Sequence, residues 1–134
     1  MSKLTELYVE LNKIQSEIHK LRVQEYLQMD LLDDDGYPTD AALNVIKLWS
    51  PDDPKGWFEF IKSIWWSPDW GWGEKEEDHD WDKGKFVYRY YLSTGGWSGN
   101  ESIIRAMEEN YIMWTLKWYS SKRGGHYVFE LKEF

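Results

Sequence analysis

Six aliphatic residues near the amino end, Leu4, Leu7, Leu11, Ile14, Ile18 and Leu21, follow one another at spacings of 3, 4, 3, 4 and 3. Alternation of three and four residues keeps side chains on one narrow stripe of an α-helix, the a and d positions of a heptad repeat. Lys3, Glu6, Glu10, Lys13, Glu17, Lys20 and Arg22 fill most of the remaining faces with charge, and the pattern loosens after Val23 into Tyr26, Leu27, Met29, Leu31 and Leu32. Asp33, Asp34, Asp35, Gly36, Tyr37 and Pro38 then hold no helix. The stripe predicts one long, coiled-coil-like oligomerisation helix over residues 1–32. Such a helix either pairs with a second chain or packs on its own domain, and a seam this narrow is the habit of coiled coils.

After Pro38 the elements shorten. Thr39 or Asp40 is placed to cap a helix with Leu43, Ile46 and Leu48 or Trp49 inward, closed by Pro51 and Pro54. A second short helix carries Trp57, Phe58, Phe60, Ile61, Ile64 and Trp65, apolar on too wide an arc for a solvated face. Residues 67–73, with Pro68, Gly71 and Gly73, predict a break, and residues 74–83 an acidic loop. Asp78, Asp80 and Asp82 match the opening of a calcium loop, but Lys83 and Arg89 stand where its glycine and glutamate belong, so no metal is expected and a solvated loop is favoured. From Lys85 the period becomes two: Phe86, Tyr88, Tyr90 and Leu92 predict a strand. Ser98 and Glu101 have the spacing of a capping box ahead of a helix bearing Ile103, Ile104 and Met107 and ending near Asn110. Ile112, Trp114, Leu116 and Trp118 alternate as a second strand, residues 120–125 turn, and Tyr127, Phe129 and Leu131 alternate as a third. The sum is an α+β single domain over residues 1–134, in which a long N-terminal helix and short helices pack on a small sheet of about three strands, with residues 85–134 its strand-rich part.

Composition narrows the function. The chain has no cysteine, so disulfides, thiolate metal sites and a cysteine nucleophile are excluded, and a cytoplasmic setting is expected. No stretch resembles a signal peptide or a membrane span. A net charge of −8 opposes broad attachment to nucleic acid or anionic lipid. Ten tryptophans and nine tyrosines exceed what one small core hides, which predicts aromatic rings at an interface or pocket.

The candidate site is the run Ser93, Thr94, Gly95, Gly96, Trp97, Ser98, Gly99, Asn100 and Glu101, where a strand passes through glycines into a helix start. Glycine permits positive φ and close approach of a ligand to backbone, and a helix start leaves N–H groups free, which suits an anion. Strand, helix and strand in succession make a crossover, so the strands at Phe86 and Ile112 are expected to run parallel. The loop at Gly95 and Gly96 would then share one sheet edge with Ser120, Ser121, Lys122, Arg123, Gly124, Gly125 and His126. Lys122, Arg123 and His126 would supply positive charge, and Trp97 or Tyr127 a face on which a flat ring stacks. The plainer reading is two tight turns with a solvated hairpin tip.

These same residues carry a resemblance. The run from Ser93 to Glu101, the segment Trp114 to Trp118 and the block Arg123, Gly124, Gly125, His126 and Tyr127 resemble a family of small phage and prophage proteins that share STGGWSGNE and RGGHY blocks. The likeness spans residues 86–131, with a looser match over residues 64–72. It implies a phage origin and expression in the cytoplasm of a bacterial host, with no assigned reaction. In general character such a protein resembles the phage proteins that counter host defence by sequestering nucleotide-derived immune signals. Three readings stand. The first is a ligand-binding protein for a phosphorylated, nucleotide-like molecule, self-associating as a dimer or higher. The second is an interaction module that binds a host protein through acidic and tryptophan-rich surface. The third is a small hydrolase-like enzyme drawing on His126, Glu101 or Glu130 with Ser93, Ser98 or Ser120; no recognisable nucleophile motif supports it, and no catalytic residue or cofactor is assigned.

Overall fold

A computed structural model of the chain describes residues 2–132. Its first helix, α1 (Lys3–Leu27), starts where the Ser2 side chain accepts a hydrogen bond from the Thr5 N–H. No residue of α1 is buried, and Val23 and Tyr26 at its carboxyl end are half-buried where it meets α2 (Asp40–Leu48). Thr39 caps α2 through its hydroxyl, as its position after Pro38 suggested. Helix α3 (Pro54–Ile64) has Asp53 as its cap and proline in its first turn, a favoured start because proline has no N–H to leave unsatisfied.

A single turn, α4 (Pro68–Gly71), leads straight into β1 (Trp72–Asp78), which pairs antiparallel with β2 (Phe86–Ser93). The chain continues through α5 (Ser98–Glu109) and α6 (Tyr111–Lys117) to the hairpin of β3 (Trp118–Lys122) and β4 (His126–Leu131). The four strands lie in the order β1-β2-β4-β3, every neighbour antiparallel. Helices and a small sheet form the expected α+β architecture, with four strands where about three were expected, and the long N-terminal helix is present. Among the described residues no helix is long and apolar enough to cross a membrane.

Three expectations are corrected. The acidic segment opens with a strand, because β1 is an edge strand whose outer side meets water and therefore tolerates Glu74, Lys75, Glu76 and Glu77. Residues 111–117 are helical, not a strand. Asn110 and Met113 are buried and Trp114 and Lys117 half-buried, a helical row, whereas Ile112 and Leu116 of the alternating set are exposed. With no strand there, the parallel crossover disappears.

One face of the sheet carries the core. The Phe58 ring of α3 stacks on Tyr90 of β2 at 4.0 Å and meets Phe129 of β4 at 5.5 Å, with Trp114 against Phe129 at 5.3 Å. Rings in these geometries contribute about 0.5–1.5 kcal/mol beyond the area they bury. The opposite face is held by charge. Arg89, almost wholly buried, donates to Glu130 at 2.7 Å, Asp80 at 3.1 Å and Glu77 at 3.3 Å, and lies over the Tyr119 ring. Asp80 also accepts from the Tyr119 hydroxyl, so this aspartate of the segment expected to be a solvated loop is committed to the fold.

Candidate functional site

The loop that leaves β2 is a turn closed by the Trp97 N–H donating to the Thr94 carbonyl at 3.1 Å. Its two central residues, Gly95 and Gly96, have φ of 64° and 73°. Two successive positive φ values are the mark of a type I′ turn and strongly favour glycine. Gly95 also leaves room for a ring, since a Cβ there would stand 3.0 Å from the Trp70 ring, whereas one on Gly96 would meet open space. Gly99 serves Trp97 in the same manner, since any Cβ there would run into that indole.

The neighbouring side chains complete an aromatic surface. Trp97 is the residue before α5 and has no side-chain cap bond, so the expected Ser98–Glu101 capping box is not formed. Ser98 is the first helical residue and its hydroxyl instead reaches the Tyr37 phenol at 3.4 Å. Tyr37 lies against Trp97 with ring centres 4.6 Å apart, and Trp66 lies on Trp97 at 5.4 Å. Tyr37 is aimed there by Asp33, whose carboxylate accepts from the Asp35 and Tyr37 N–H groups, both at 2.9 Å. Trp66 is aimed by Asn100. That buried amide accepts from the Trp66 N–H at 2.9 Å and donates to the Trp66 carbonyl at 3.1 Å. The rings nonetheless face water: Tyr37 is 38% exposed, Trp66 49% and Trp70 65%.

The predicted site residues divide among four places. Gly95, Trp97, Ser98 and Asn100 build the aromatic surface. Thr94, Gly96, Glu101 and Tyr127 line a cavity of about 490 Å³ with Gly124, Gly125, Ile104, Arg105 and Glu108. The two glycine loops do meet there, for Thr94 N–H donates to the Gly125 carbonyl at 3.0 Å. Antiparallel β2 and β4 bring them together, because the end of one strand lies beside the start of the other. Ser93, Lys122, Arg123 and His126 are elsewhere. Strand alternation turns Ser93 and His126 to the sheet face opposite Tyr127, where Ser93 Oγ and His126 Nδ1 are 2.7 Å apart. Lys122 and Arg123 are exposed at the hairpin tip and do not line the cavity.

Charge in that cavity is mainly negative, with Glu101 and Glu108 against Arg105 alone. Burial first, and then the charges of Glu108 and Glu101, push the Tyr127 phenol above its ordinary pKa. A phosphate would meet the same repulsion. Nor is a Ser-His-acid arrangement assembled: among the described hydrogen bonds none joins His126 to Glu101 or Glu130, and Glu130 is taken by Arg89.

Tyr37, Trp66 and Trp70 were not singled out as site residues by sequence reasoning. The available signal was the excess of tryptophan. No protein-family model, no curated protein and no solved structure matches the chain.

Proposed function

We propose that this protein is an interaction module that captures a basic segment of a partner protein on the surface formed by Tyr37, Trp66, Trp70 and Trp97. The observation that carries this reading is the Tyr37–Trp97–Trp66 cluster, in which Asn100 and Asp33 hold the backbone of Trp66 and Tyr37 while those two rings stay open to water over a half-buried Trp97. Rings held in place lose little entropy on binding, and tryptophan and tyrosine faces attract guanidinium and ammonium groups by about 0.5–2 kcal/mol each. Asp33, Asp34 and Asp35 come shortly before Tyr37 in the chain and Asp69 directly before Trp70, so two of the four rings have acidic neighbours in sequence. A net charge of −8 draws a cationic partner and repels an anionic one.

A phosphorylated, nucleotide-like ligand has less behind it. Its expected cations, Lys122 and Arg123, stand outside the cavity that two glutamates line. Display of a random peptide library on the immobilised protein separates the two partners. Enrichment of sequences rich in arginine or lysine, lost when the target is Trp66→Ala, is expected. Enrichment of acidic sequences, or of basic ones that Trp66→Ala still selects, would contradict the proposal.

A further inference from the structure

We infer that α1 is a docking surface for a second copy of this chain, and that the two copies of α1 lie parallel and in register. Leu4, Leu7, Leu11, Ile14, Ile18 and Leu21 are all open to solvent, between 46% and 63% exposed. They face away from the chain's own body. A different row of α1, with Asn12, Gln15, Ser16, His19 and Val23, lines the groove of about 660 Å³ that separates the helix from Trp49, Asn110 and Ile112. The aliphatic row does not line that groove and is open to a partner.

The charges beside the row choose the partner and its direction. With Leu4, Ile18 and Leu11 at a and Leu7, Ile14 and Leu21 at d, the flanking g positions hold Lys3, Glu10 and Glu17, and the e positions Tyr8, Gln15 and Arg22. In a parallel pair each g residue meets the e residue five places on in the other copy. Glu17 then meets Arg22, Glu10 meets Gln15 and Lys3 meets Tyr8, so the one fully charged contact is attractive and occurs twice by symmetry. An antiparallel pair overlapping over the same six residues sets g against g. Glu10 would then face Glu17, a repulsive contact made twice. The row is complementary to itself in one direction only. It also ends at Leu21, since the next a and d positions are Glu25 and Gln28.

Sedimentation equilibrium at tens of micromolar is expected to give twice the 16.2 kDa of one chain. Leu11→Asp with Ile14→Asp is expected to give the single mass with an unchanged melting profile of the body, because both residues are exposed within one chain. A wild-type monomer overturns the inference. Direction is read by disulfide trapping, since the chain has no cysteine of its own. In a glutathione redox buffer Leu7→Cys alone should become a covalent dimer, because a d residue meets its own counterpart in the parallel pair. Linkage only when Leu7→Cys is mixed with Ile18→Cys means the antiparallel pair and overturns it. Glu17→Arg should raise the dissociation constant several-fold and Glu17→Arg with Arg22→Glu should restore it. No change in either variant would contradict the charge pairing.

Discussion

Asn100 lies 34 residues from Trp66 in sequence, yet its one amide satisfies both backbone groups of that tryptophan. The amide of Asn100 is buried but the Trp66 groups it meets are only partly so; an unpaired buried polar group costs about 1–3 kcal/mol, and Asn100→Ala should lower unfolding stability by about 1–2 kcal/mol in a urea titration. A loss within about 0.5 kcal/mol would mean that water replaces the amide and that Trp66 is not held as described. At this scale the sequence could be read only in part. The positive φ of Gly95 and Gly96 was open to expectation, because glycine pairs before a helix imply a turn. Which ring Gly95 accommodates was hidden, since Trp70 and Gly95 are brought together only by the packing of α4 against the end of β2. Arg89 was equally opaque: its partners Glu77, Asp80 and Glu130 are spread over three segments, and nothing local to any one of them announces a buried guanidinium.

The β1–β2 hairpin is held at its outer edge by Glu74, and its stability should follow pH. Burial raises the Glu74 pKa, but hydrogen bonds from Tyr88, Trp72 and Lys62 together outweigh it and hold the carboxyl below its ordinary value. Asp80 is likewise held low, by hydrogen bonds from Tyr119 and Arg89. A carboxyl whose folded pKa is depressed contributes stability that is present above its unfolded pKa and lost as pH falls through the folded one. Melting temperature should therefore fall from about pH 5 towards about pH 2, less steeply in Glu74→Gln. Tyr88 acts in the opposite direction. Its hydrogen bond to Glu74, then burial, push the phenol to about 12, so its contribution is complete below the unfolded value and is lost as pH rises through the folded one. A melting temperature flat across the acid range would show that these bonds do not hold the hairpin. The legible elements were those with amphipathic period, α1, β2, α5 and β4. Strand β1 has no such signal, for edge pairing rests on backbone groups and leaves charged side chains in water. Helix α6 misled for the opposite reason: nearly every residue from 111 to 116 is apolar, so alternation could be traced through Ile112, Trp114 and Leu116 although the buried row runs through Met113.

Across the whole molecule, three tryptophans are buried at 9% exposure or less, Trp57, Trp65 and Trp72, while Trp66, Trp70, Trp81 and Trp118 stay open. The excess of aromatic residues thus signalled exposed surface, as composition implied, but its place was set by a loop that had suggested an anion site. Each residue from Thr94 to Asn100 takes part in turning the chain, seating a ring or tying down Trp66. If two copies pair through α1, two such surfaces are carried by one particle, and a partner with two basic segments would gain avidity from a single binding mode. The most direct test follows the ten indole N–H signals of the uniformly ¹⁵N-labelled protein while an arginine-rich peptide is added. The signals of Trp66, Trp70 and Trp97 should shift together and saturate at one peptide concentration, while those of Trp57, Trp65 and Trp72 stay in place and ATP moves none of them. Unmoved signals at Trp66, Trp70 and Trp97, or shifts driven by ATP rather than by the peptide, would contradict the assignment of this surface to a basic partner.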